Sequence, residues 1–278
     1  MSPETFLRYE DMPKLAENVR AICDRLDVKI RLQTDFANAL KLVSDAGRIE
    51  SSGPSIELCL TQRVLSAIVA CQYDAELVEP LRRIASSPLN PATPVHSLGK
   101  DAVFELEMLQ YIRHRHLEGR LGEPDVVVSA PFGDYYVACK TINSLKNFEG
   151  QIRAGCTQIV ERGHGCIAFN LEPHLLIPQP IQVQSRAQLR QILHPRLENL
   201  YRDHQRFVDA RLKDGRLDGV LFQISCFAEI AESPSDMDVF THTVFYCRSH
   251  MQNRVATDRF EGFRQSMQGL MGISGLES

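Results

Sequence analysis

At 278 residues, with 44% apolar and 24% charged side chains, the chain has material for one large domain or two modest ones and no bias toward disorder. A net charge of −4 argues against a surface that holds nucleic acid by charge alone, because neutralising phosphates is the main source of non-specific affinity. No window is apolar for long enough to cross a bilayer, and the opening Met-Ser-Pro-Glu-Thr lacks a basic region followed by an apolar one; neither a membrane span nor export is expected.

The first 90 residues read as helical. Leu15, Val19, Ile22 and Leu26 mark one face of a helix that Asp11 would cap, with Pro13 in its first turn. Phe36, Leu40 and Val43 mark a second, Leu58, Leu65, Ile68 and Val69 a third, and Asp74 to Ile84 a fourth. This region is either a separate helical module for a partner or for regulation, or a layer packed on the remaining chain. Three prolines between Ser86 and Pro94 make this stretch the candidate boundary, giving a helical region 1–90 and a core 95–278.

Gly99 to His116 reads as the next helix, in which Glu105 shares a stripe with Leu109 and Ile112 and so faces inward, while Glu107 falls on a solvated face. The basic run Arg113-His-Arg-His116 complements the end of the helix dipole. Val126 to Ser129 and Tyr135 to Lys140 are short, β-branched and aromatic runs around a Pro-Phe-Gly-Asp turn, the pattern of a hairpin. Asp125 enters it and Lys140 leaves it. A helix from Asn143 to Glu161, a strand from Gly165 to Leu171 and a proline-rich loop around 173–180 follow. A helical stretch from Ser185 to Lys213 should break at Pro195. Strands at Asp218 to Glu229 and Asp238 to Arg248, an acidic loop between them and a helix from Phe260 to Met271 complete the chain. The eight cysteines form no C-x-x-C pair and most sit in apolar runs, as expected of reduced core thiols in a cytoplasmic protein.

Pro124-Asp125 before one strand, Lys140 on the next and Glu105 on the preceding helix resemble the PD-(D/E)XK nuclease superfamily. The resemblance implies an α/β, restriction-endonuclease-like mixed sheet flanked by helices, here with a helical N-terminal region. It also implies Mg²⁺-dependent hydrolysis of DNA phosphodiesters, with Mn²⁺ as a substitute. On this basis Asp125 and the carbonyl of Cys139 would bind metal, Glu105 would complete the shell, Lys140 would support the attacking water, and Gln158 would orient phosphate or water.

Ala138 stands where the superfamily carries its second acid, so the chain is expected to be inactive or severely weakened. An experimental knock-out, a natural pseudo-enzyme, and migration of the acid to Glu149 all account for it. The overall layout is similar to the nuclease subunit of the Hachiman antiphage defence systems, the HamA family, which implies a bacterial DNase effector held by a superfamily 2 helicase. The contrasting expectation is a non-catalytic nuclease fold that binds DNA or clamps a partner.

Overall fold

The structure, a computed structural model, describes residues 11–46, 56–91, 93, 95–175, 180–232, 238–247 and 254–269. The loop expected at 233–237, part of the proline-rich loop at 176–179 and the end of the last expected helix at 270–271 lie outside them.

The apolar spacing produces four helices first: α1 (Met12–Arg25), α2 (Asp35–Asp45), α3 (Ile56–Ala70) and α4 (Val78–Ser86). Asp11 stands at the start of α1 but makes no capping hydrogen bond, whereas Thr34 accepts the amide of Ala37 at 3.2 Å and caps α2. Ser97 caps α5 (Leu98–His114) by accepting the amide of Gly99.

The sheet begins with β1 (Gly119–Leu121), β2 (Val126–Ala130) and β3 (Gly133–Thr141), an antiparallel meander. A short 3-10 turn at Leu145–Asn147 leads into α6 (Phe148–Val160), the crossover to β4 (His164–Asn170), which pairs parallel to β3. Then come β5 (Ile181–Val183), α7 (Arg186–Lys213), β6 (Gly219–Ile230), β7 (Asp238–Tyr246) and α8 (Arg254–Gln268). β6 pairs parallel to β4 with its first half and to β5 with its end, and antiparallel to β7. The result is a seven-stranded mixed sheet flanked by helices.

Alternation along each strand divides the core into two layers. Tyr135, Val137 and Cys139 of β3 join Cys166, Ala168 and Leu221 in packing with α1 to α5 and α8. Ala138 joins Ile167, Phe169 and Phe222 in the layer under α6 and α7. The first apolar layer runs without interruption from Met12 through α5 to the sheet, so the stretch around residue 90 is a change of element and not a break in packing. Gly165 has no alternative: a Cβ there would lie 1.9 Å from the carbonyl oxygen of Tyr136.

α7 does not break at Pro195. Pro195 and Gln191, whose carbonyl loses its helical partner, are both exposed, so the missing bond falls on the solvent side. All eight cysteines are free and seven are buried. Among the described residues no helix is long and apolar enough to cross a membrane.

Candidate functional site

β2 and β3 are unequal in length, and this inequality creates the site. The ladder's last pair toward the end of β3 is Val126 with Val137, yet β3 continues to Thr141. From Ala138 onward no strand among the described residues lies beside that edge of β3, and its backbone groups need other partners. Asp125 supplies one, with Oδ2 accepting the amide N–H of Cys139 at 2.7 Å. The same oxygen lies 3.5 Å from Nζ of Lys140, and both side chains are 14% exposed. Continuing the register one step sets Asp125 opposite Ala138. The carbonyl of Cys139 projects to the edge that Asp125 occupies, since a strand residue directs both backbone groups toward one neighbour.

Glu105 arrives from the helix side. It is buried on α5, as its stripe predicts, and Arg83 of α4 binds both of its oxygens, at 2.9 Å and 2.6 Å. Arg83 is the residue that sequence reasoning missed. A buried carboxylate requires a partner, which was the available signal, but nothing in the pattern of α4 singles out Arg83 among its polar residues.

Burial pushes the carboxyl of Asp125 up to about 7; Lys140 opposes the rise and Glu105 adds to it. Burial also raises Glu105, against the hydrogen bonds and charge of Arg83. Two carboxylates and two cations therefore compensate one another at the edge of the sheet. Asp125, Glu105 and Arg83 open on a cleft of about 940 Å³ whose walls carry both signs of charge, with Arg113, Arg120 and Arg162 against Asp74, Glu76, Glu79 and Glu123. Arg113 does more than complement a helix dipole: it pairs with Asp74 and donates to the carbonyls of Ala70 and Gly119, bracketing α3 to β1.

Gln158 and Glu149 lie on α6. α6 runs back along β3 to β4, whose first pair with β3 is His164 with Tyr135, so Gln158 near the end of α6 lies toward the Tyr136 end of the strand. The Oε1 of Gln158 is buried with no hydrogen-bond partner. Glu149 opens α6 and lines a hollow with Lys146, Asn147 and Arg153, distinct from the cleft that Asp125 and Glu105 line. Ala138 itself is fully buried. Glu107 is not solvated: its side chain is 11% exposed and paired with Arg63, which also binds Glu172 at 3.0 Å. The reason is that α5 packs against α3 as well as α4 and the sheet, leaving it little free surface.

As they stand, these residues do not fit a divalent ion. Glu105 has both oxygens committed to Arg83, Asp125 has one committed to Cys139 and Lys140, and Ala138 offers none. Mg²⁺ demands near-octahedral oxygen ligation. Among the described residues no group of three or more His, Cys, Asp or Glu is arranged to hold a metal. Neither the protein-family models nor the curated proteins contain a match to the chain.

Proposed function

We propose that the chain carries the scaffold of a metal-dependent DNA nuclease, an antiphage effector governed by a superfamily 2 helicase partner, and that Ala138 leaves it catalytically silent. The observation behind this reading is the convergence of Asp125 and Lys140 to 3.5 Å at neighbouring strand ends, with position 138 facing Asp125. An acid at 138 would add the missing ligand on Asp125's side of the sheet. Lys140 would then present a fixed positive charge, and the Cys139 amide would hold the Asp125 carboxylate in one orientation. The negative net charge and the carboxylates along the cleft favour delivery of DNA by a partner over capture by the chain alone.

The test compares the chain as it stands, Ala138→Glu, and Ala138→Glu combined with Lys140→Ala. Each is incubated with plasmid DNA and Mg²⁺ or Mn²⁺, alone and with any neighbouring helicase. Nicking confined to the single variant is expected. Equal nicking by the original chain or by the double variant would overturn the proposal.

A second reading is a non-catalytic nuclease fold that binds DNA or clamps a partner. It is favoured by one observation, the complete commitment of Glu105 to Arg83. Absence of cleavage by every protein, with or without the helicase, selects it.

A further inference from the structure

We infer that Arg83 is an internal cation that keeps a divalent ion out of the site, so that metal admission requires α4 to release Glu105. The inference rests on reading the cleft as a metal-dependent site, and it assigns the N-terminal helices a part in controlling it.

Three observations carry it. The first is occupancy: a metal ligand must expose an oxygen, and Arg83 covers both oxygens of Glu105. The second is charge, because Asp125 and Glu105 are balanced by Lys140 and Arg83 and offer no net attraction to a divalent ion. Removing Arg83 leaves an excess negative charge in a largely buried place, where charges act strongly.

The third is how lightly Arg83 is held. Arg63 grips two carboxylates, and Arg113 grips one carboxylate and two carbonyls. Arg83 hydrogen-bonds Glu105 alone among the described residues, with Asp125 and Glu79 acting on it only through charge, and its Nε is buried without an acceptor. Such an unsatisfied donor is a cost of the closed arrangement. Lys140 is the second internal cation, but it engages one oxygen of Asp125 and leaves the other open. The seal is therefore tighter on Glu105 than on Asp125, and it comes from α4.

Mn²⁺ titration followed by electron paramagnetic resonance tests the inference on the full chain. Ala138 is present throughout, so no cleavage enters the readout. The proteins are the chain as it stands, Arg83→Gln, Arg83→Lys, Lys140→Gln, and Arg83→Gln combined with Asp125→Asn. Arg83→Gln should bind Mn²⁺ about tenfold tighter or more, as expected when one opposing charge is withdrawn from a site of low polarity. Arg83→Lys should stay with the parent, Lys140→Gln should gain less, and the double variant should lose the gain.

Equal affinity in the parent and a folded Arg83→Gln would overturn the inference. Should Arg83→Gln not fold, a tenfold or greater gain in Lys140→Gln, with Arg83 still on Glu105, would overturn it as well. The two proposals fail separately. If Ala138→Glu cuts DNA while these affinities do not move, the nuclease reading stands and the role of Arg83 falls. If Arg83→Gln gains the ion and Ala138→Glu never cuts, the reverse holds.

Discussion

Oδ2 of Asp125 accepts the amide of Cys139 at 2.7 Å, two residues beyond Val137, where β2 stops pairing with β3. The carboxylate thus extends the ladder that the shorter strand cannot. Asp125→Ala should destabilise the protein by about 1–3 kcal/mol, the cost of leaving a buried donor without a partner. Asp125→Asn keeps an acceptor and should lose less. Urea denaturation of the two variants measures the difference, and equal losses would mean that the amide bond contributes nothing.

The raised carboxyl of Asp125 sets a pH dependence with a definite sign. Its folded value of about 7 lies above the ordinary 3.8, so the folded state holds a proton that the unfolded chain releases. The stability from this group is fully present below about pH 4 and is lost as pH rises through 7. Glu105 is shifted in the same direction. Thermal midpoints between pH 5 and 8 should therefore fall more steeply for the parent than for Asp125→Asn. Parallel curves would show that Asp125 ionises normally.

Arg63 stands between the buried Glu172 and the largely covered Glu107. Arg63→Met should cost about 3–5 kcal/mol, because it leaves two covered charges without a cation. Adding Glu107→Gln should recover part of the loss, and a double-mutant cycle in denaturant reads the coupling. Strict additivity would show that the pair does not interact.

Gln158 buries an oxygen that nothing bonds. Gln158→Leu should leave stability unchanged or raise it, since no partner is orphaned. In the Ala138→Glu background it should leave cleavage unaltered. A loss of cleavage at full stability would return Gln158 to the site.

Elements were legible wherever their period was strong. α1 to α5 follow stripes of apolar residues, and β2 and β3 follow a hairpin pattern with a turn between them. β1 and β5 are three residues each, too short for a period to register, and they exist because longer strands offer them an edge. Pro195 misled because its penalty depends on which side of the helix loses its bond, a fact of packing. The convergence of Asp125 and Lys140 was readable because both lie on one hairpin, where register follows from local pairing. Arg83 was not, since its meeting with Glu105 is made by the packing of α4 on α5, and Glu107 was misjudged because α3 covers it.

The comparison of Ala138→Glu with Ala138→Gln bears most directly on the central claim. The two side chains match in size and differ in charge, so packing effects cancel and only the new carboxylate separates them. With plasmid DNA and Mn²⁺, alone and with any helicase partner, Ala138→Glu should produce nicked circles and Ala138→Gln none. Nicking by both, or by neither while both remain folded, would contradict the assignment of position 138 as the missing acid of a nuclease.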